Sequence, residues 1–201
     1  MEVNGYKIEP GANLSSANLS GANLSGAYLS GANLIYTNLY DANLYDANLS
    51  SADLTGADLT DADLTDANLT DANLTSADLT SANLTSAFLC DANLSGAILL
   101  ESDLTDANLT DANLTDAILL RANLTEANLT HAKLLRAFLS RTDLTWANLH
   151  GANLTDAKLL RVKLSDTNLT GANLARARLT LIFLGDTNLT GATMPDGSIH
   201  D

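Results

Sequence analysis

Leucine occupies every fifth position from Leu14 to Leu189, thirty-six times without a gap, and Met194 continues the series. A period of five suits neither regular element. In an α-helix it would advance each leucine by about 140° and scatter the row around the cylinder. In a straight strand an odd period makes successive leucines alternate faces. The chain must therefore turn a corner once per unit, so that each short extended segment presents its leucine to one shared axis. Regularity of this kind marks a repeat architecture whose units bury their apolar faces against one another.

Each unit has the same internal order. An Ala lies two residues before the Leu, on the same inner side of an extended segment, while the Asn or Asp between them and the Ser or Thr after the Leu point outward. The fifth residue, most often Asp, Gly or Ser, falls at the corner, where its turn chemistry suits a repeated bend. A small Ala is required inward because a leucine from every segment already fills a narrow axis.

The number of segments per coil is read from the irregular units, which recur every 20 residues. Ile98, Ile118 and Phe138 stand where Asn is usual, with Lys158 and Arg178 following in the same column. Leu100 and Leu120 match, as does Leu160 after the interruption at Ser140, and Arg121, Arg141 and Arg161 form a third series. Four segments per coil make a square rod of nine coils from the 36 leucines. At strand-like spacing of about 4.8 Å per coil the rod is roughly 43 Å long.

Units such as GANLS, DANLT, SADLT and GADLT resemble the A(D/N)LxX signature of the pentapeptide repeat family, over residues 11 to 194. The resemblance implies an all-β fold, the right-handed quadrilateral β-helix, in agreement with the four-sided coil. The handedness comes from the resemblance alone. The closing MPDGSIHD is similar to the tails of cyanobacterial members, among them a regulator of heterocyst differentiation. Thr37, Ser102, Thr142, Thr167, Thr187, Val162 and Ile182 depart from the inward Ala, and all are small or apolar enough to fit.

The expected organisation is an N-terminal cap over 1–10, the repeat over 11–194 and a C-terminal tail or cap over 195–201. Open solenoid ends invite edge-to-edge stacking. Val3, Tyr6 and Ile8 are expected to cover one end; Met194, the Asp196-Gly197 turn and Ile199 the other.

Composition narrows the function. No run approaches 18 apolar residues and the start, MEVNGYKIEP, lacks the features of a signal peptide, so a soluble cytoplasmic protein with no membrane partner is expected. The single cysteine, Cys90, suits a reducing compartment and is given no role. The many Asn-Leu-Ser/Thr triplets are by-products of the repeat rather than glycosylation sites. The net charge of −14 is unevenly spread: residues 1–120 hold one basic and 17 acidic residues, residues 121–201 nine basic and seven acidic.

An axis filled with Leu and Ala leaves no concave substrate pocket. His131, His150 and His200 belong to no column with a suitable nucleophile and acid, and there is no phosphate loop, zinc spacing or calcium repeat. The chain reads as a non-enzyme with no cofactor, no metal and no catalytic residue. Acidic corner ladders such as Asp71, Asp91 and Asp111, or Asp106 with Glu126, repel by about 0.9 kcal/mol per pair in water before screening. They read first as a solvated face; loose cation binding and imitation of DNA phosphates are the alternatives. Some relatives inhibit DNA gyrase as DNA mimics, which gives the second function class, although acidity that stops at residue 120 argues against it.

In the second half, Asp116, Arg136, Asp156 and Arg176 alternate in sign up one corner and can pair with one another. Arg121, Arg141 and Arg161 instead stack like charges with no evident compensation, beside outward Ile98, Leu100, Ile118, Leu120, Phe138 and Leu160. Arg and Phe are favoured at interfaces, and six apolar side chains amount to roughly 400–600 Å². These nine residues are the candidate partner-binding face of a scaffold that takes an acidic or amphipathic protein, with self-association, drift and a purely structural rod as the competing readings. Direct nucleic-acid binding is not expected. Tyr28, Tyr36, Tyr40 and Tyr45 form a weaker candidate cluster.

Overall fold

The computed structural model describes residues 1–182 and 184–201 and forms one solenoid of four-sided coils. Its ladder joins residues 20 apart in parallel, from Asn13 with Asn33 to Asn173 with Thr193, so each coil consumes four pentapeptides. We number the sides by their leucines: Leu14 opens the first, Leu19 the second, Leu24 the third and Leu29 the fourth. Most segments carry a single bridge because the chain turns before a second can form. Longer pairing appears where β3 (Lys158–Leu160) lies parallel to β4 (Arg178–Thr180).

The five backbone N–H groups of one unit explain its sequence. The Ala52 amide donates to Leu49 across the turn, at 3.0 Å. Asp53 donates to Ala32 of the coil below at 2.9 Å, while Leu54 and Gly56 donate to Asn73 and Thr75 of the coil above at 2.7 and 2.9 Å. That leaves the Thr55 amide, which donates to the Asp53 carboxylate at 3.0 Å, and the Thr55 hydroxyl donates to the same oxygen at 2.6 Å. Asn or Asp is thus required before the Leu because its side chain takes the one amide the ladder cannot. The preference read from sequence as mere outward polarity is an acceptor built into every regular unit.

The corner residue takes φ > 0 and the residue before it does not, the pattern of a type II turn. Gly96 (φ 66°) and Asp91 (φ 57°) suit it; Arg121 (59°), Trp146 (59°) and Leu181 (54°) adopt it against their preference. Inside, the leucines and alanines of the coils are essentially removed from solvent. The inward hydroxyls are accommodated by hydrogen bonds. Thr37 donates to the Leu14 carbonyl at 2.7 Å, Thr142 to Leu119 at 2.6 Å and Thr167 to Leu144 at 2.7 Å, each in the coil below. Ser102, with a shorter side chain, turns to Leu99 in its own coil at 2.9 Å.

The ends differ from each other. At the start β1 (Glu2–Val3) and β2 (Tyr6–Lys7) form an antiparallel hairpin through Asn4 and Gly5, both at φ > 0. Ile8 is buried, and Val3 and Tyr6 pack on the core. At the far end Met194 packs on the core, but Ile199 is 60% exposed and covers nothing. Backbone closes that edge instead: Thr193 bridges Ile199 in antiparallel fashion, and the amides of Gly191 and His200 bond to His200 and Ala192.

Candidate protein-binding face

The parallel ladder places Ile98, Ile118, Phe138, Lys158 and Arg178 in one column on the second side. Leu100, Leu120, Ser140 and Leu160 stand two residues further along the same segments. Arg121, Arg141 and Arg161 occupy the corner that follows; Asp116, Arg136, Asp156 and Arg176 the corner that precedes. All nine residues singled out in the sequence therefore lie on one side of the rod. Their burial is greater than outward pointing alone suggests. Ile98, Leu100, Ile118, Leu120 and Phe138 are half-buried in columns whose neighbouring coils are bridged backbone to backbone, and Leu160 at 40% is the most exposed of the six apolar residues.

Apolar residues in the Asn column remove the acceptor that the amide two residues on needs. Among the described residues the amides of Leu100, Leu120 and Ser140 find no protein acceptor, in contrast to Thr80 and Thr60 on the same side, which are held by Asp78 and Asp58 at 3.0 and 3.1 Å. Three coils in succession thus give up a local hydrogen bond where the surface turns apolar.

The electrostatics correct one expectation. Arg121 is compensated: its guanidinium donates to Glu101, one coil below in the same corner, at 2.6 Å. Glu101 breaks the arginine series of its column, so repetition of like residues does not signal the pair. Arg141 and Arg161 have no ion-pair partner among the described residues. The preceding corner pairs as its alternating signs require. Arg136 Nε donates to Asp116 at 2.7 Å and Arg176 Nε to Asp156 at 2.9 Å, each doubled by a second guanidinium nitrogen. These hydrogen bonds hold both carboxyls below the usual aspartate value and raise both guanidinium groups. Lys158 Nζ sits 3.9 Å above the Phe138 ring, a cation–π contact.

Two open depressions of about 460 Å³ each lie on this side. One is lined by Leu100, Glu101, Leu120, Arg121, Ser140 and Arg141. The other is lined by Phe138, Lys158, Arg178 and the paired corner residues. A third, about 410 Å³, lies on the fourth side between Tyr28 and Phe88. The four tyrosines do not form one cluster, since Tyr28 stands on the fourth side, Tyr36 at the first corner, Tyr40 on the second side and Tyr45 on the third. Tyr36 lies over Gly56, where a Cβ would come within 2.4 Å of its ring. Exposed Trp146 and Leu181 escaped the sequence reading because each is a lone departure in its column.

Acidic side chains are also redistributed once the coils are stacked. The corner between the third and fourth sides carries Asp46, Asp66, Asp106, Glu126, Asp166 and Asp186, drawn from both halves of the chain. Acidity therefore runs along most of that corner and does not stop at residue 120. Among the described residues no three His, Cys, Asp or Glu side chains are grouped to hold a metal ion, and no helix is long and apolar enough to cross a membrane.

Stacked four-sided coils with an apolar axis and outward ladders define a β-helical repeat protein. The family model described as pentapeptide repeats matches in eight copies over stretches that together run from residue 12 to residue 196, and the chain belongs to this family. Its coil is the right-handed quadrilateral β-helix. Among solved structures, HetL, a pentapeptide repeat protein involved in heterocyst differentiation regulation from the cyanobacterium Nostoc, is 36% identical over 96% of this chain and 93% of its own, with a TM-score of 0.49. A pentapeptide repeat protein of the Arabidopsis thaliana thylakoid lumen is 30% identical over 51% of this chain and 68% of its own, with a TM-score of 0.38. A trypsin-treated form of QnrB1, a plasmid-mediated fluoroquinolone resistance protein, shares the fold at a TM-score of 0.54, with 16% identity over 85% of this chain and 88% of its own. No curated protein matches the chain.

Proposed function

We propose that the rod is a non-enzymatic, cytoplasmic protein-binding scaffold whose recognition face is the second side of its later coils, built on Ile98, Leu100, Ile118, Leu120, Arg121, Phe138, Arg141, Leu160 and Arg161. The observation that carries this reading is the loss of the local amide acceptor at three consecutive coils, where the replacing side chains are apolar and bordered by the Glu101–Arg121 pair and by Arg141, which has no ion-pair partner among the described residues. Each loss costs local stability, so neutral drift would leave such units isolated, as they are at Ser30 and Cys90 on the fourth side, Leu135 on the first and Ser165 on the third. Among the described residues the second side alone loses the acceptor in three coils running. The likeness to HetL, itself involved in regulation, is consistent with a scaffold.

The variant Ile118→Asn, Leu120→Thr, Arg121→Ser restores regular repeat residues and tests the reading. It should fold with stability changed by no more than about 0.5 kcal/mol per site, since outward substitutions away from special features change little. Capture of a protein partner from native lysate should be lost, because desolvated apolar and Arg anchors commonly contribute about 2 kcal/mol or more each. A variant that retains its partner removes this face from the reading.

A second reading, inhibition of a type II topoisomerase such as gyrase by imitation of DNA, is favoured by the acidic corner from Asp46 to Asp186. Charge density weighs against it. The corner offers at most one charge per about 4.8 Å of rod, whereas duplex DNA carries one per roughly 1.7 Å. Absence of inhibition at micromolar levels in a low-salt supercoiling assay eliminates it.

A further inference from the structure

We infer that the second side binds a second copy of this chain, face to face and antiparallel, about a two-fold axis that crosses the rod between the Ile98 and Ile118 coils. This inference rests on the reading of that side as a recognition face and names its occupant.

The argument is the order of charge along the side. Below the Ile98 coil it carries Asp41, Asp58, Asp61 and Asp78; above the Ile118 coil it carries Arg141, Lys158, Arg161 and Arg178. Between them lie the apolar Ile98, Leu100, Ile118 and Leu120. A two-fold axis lying across the side sets each column against itself with its direction reversed. Ile98 then meets Ile118 of the other copy, and Leu100 meets Leu120. In the corner column Glu101 faces Arg121 and Asp61 faces Arg161; in the inner column Asp58 faces Lys158. The ion pair Glu101–Arg121, 2.6 Å within one copy, becomes a ring of four alternating charges. Glycine or serine lies opposite three of the four paired corner residues, Gly96 against Asp116, Ser76 against Arg136 and Gly56 against Asp156, and Tyr36 lies opposite Arg176.

No like charges oppose one another in this register, and neighbouring registers lack that property. An axis at the Ile118 level sets Arg121 against itself; one at the Ile98 level does the same to Glu101. A parallel pairing sets Arg141 of one copy against Arg136 of the other. Complementarity of this kind selects partner and orientation. The third and fourth sides do not offer it, since the corner from Asp46 to Asp186 stays acidic, and the corner that opens the first side carries Asp71, Asp91 and Asp111 with no Lys or Arg. Area is sufficient. Four sides of equal length share most of the 8408 Å² accessible surface, so one side exceeds the roughly 800 Å² per partner that a standard-size interface buries.

Sedimentation equilibrium of the full chain should report a dimer of the 21.0 kDa chain that weakens with salt. Arg161→Asp should raise the dissociation constant about 10-fold or more, and adding Asp61→Arg in the same chain should restore it to within about 3-fold. Arginine already stands at the same corner geometry at Arg141 (φ 62°), so the reversed chain can fold. In a Cys90→Ser background, oxidising a mixture of the Asp61→Cys and Arg161→Cys chains should give a cross-linked pair that neither chain gives alone. A monomer at every concentration overturns the dimer, as does a dimer indifferent to both charge reversals or one that fails to cross-link. The wider reading fails on a different result, retention of a lysate partner by the Ile118→Asn, Leu120→Thr, Arg121→Ser variant.

Discussion

Asn128 shows what a single regular residue does. Its side-chain oxygen accepts from the Thr130 amide at 3.1 Å and the Thr130 hydroxyl at 2.6 Å, while its amide donates to Thr110 of the coil below at 3.0 Å. Asn128→Ala removes three partners at once and should lower unfolding stability by about 1–2 kcal/mol in urea titration. Ile118→Asn runs the same logic in reverse. It supplies the missing acceptor to the Leu120 amide and should leave stability unchanged or raise it by up to about 0.5 kcal/mol. A loss there greater than the loss at Asn128 would show that Ile118 is held by packing rather than exposed for recognition. Cys90 is a second single-residue case. Its partial burial and the nearby Asp91, Asp111 and Asp71 push the thiol pKa up, so the reactive thiolate is scarce at neutral pH. Alkylation by iodoacetamide at pH 7.5, in the pH range of about 7 to 8 where an ordinary thiol is partly ionised, should be slower than for a free cysteine, and Asp91→Asn should accelerate it.

At the scale of one segment, inside and outside alternate along three residues. Leu114 is fully buried and Thr115 beside it is half-buried in the turn. Leu114→Asp places an unpaired charge among stacked leucines and should lower stability by about 4 kcal/mol or more, while Thr115→Asp should stay within about 0.5 kcal/mol. Equal shifts in thermal midpoint would refute the assignment of the inner row. The end segments follow other rules, because each must satisfy a ladder with no further coil. The first end adds a hairpin and the buried Ile8; the last folds its chain back so that Ile199 and His200 pair with the final coil.

For the whole molecule, acid sensitivity follows from the ion pairs up the basic half. Hydrogen bonds from Arg136 and Arg176 depress Asp116 and Asp156 below 3.8. At Asp143 burial acts in the opposite direction, but bonds from Lys163 and Thr145 outweigh it and the net shift is also downward. A carboxyl depressed in the folded state contributes stability that is present above 3.8 and lost as pH falls through its folded value. The thermal midpoint should therefore fall as pH drops below 3.8. In the Arg136→Ser, Arg176→Ser double variant that fall should be smaller; an identical fall would remove these pairs from the account.

Much of this was legible in the residues. A leucine every fifth position requires a corner per unit, and the 20-residue recurrence of Ile98, Ile118 and Phe138 yields four sides and nine coils, because a solenoid contacts only its neighbours and its periods are its geometry. The alternating corner from Asp116 to Arg176 was readable for the same reason. Three things awaited the stacked coils. The Glu101–Arg121 pair joins unlike residues, which a search for repeated ones overlooks. The half-burial of Ile98, Leu100, Ile118 and Leu120 arises in columns whose bridged neighbours are 20 residues away in the chain and one coil away in space. The acidic corner from Asp46 to Asp186 collects every fourth unit, and a net charge summed along the chain averages it away. Sequence alone determined the rod and its inner row, since both follow from a local period; tertiary structure decided which outward groups meet, since those contacts depend on what the neighbouring coil presents.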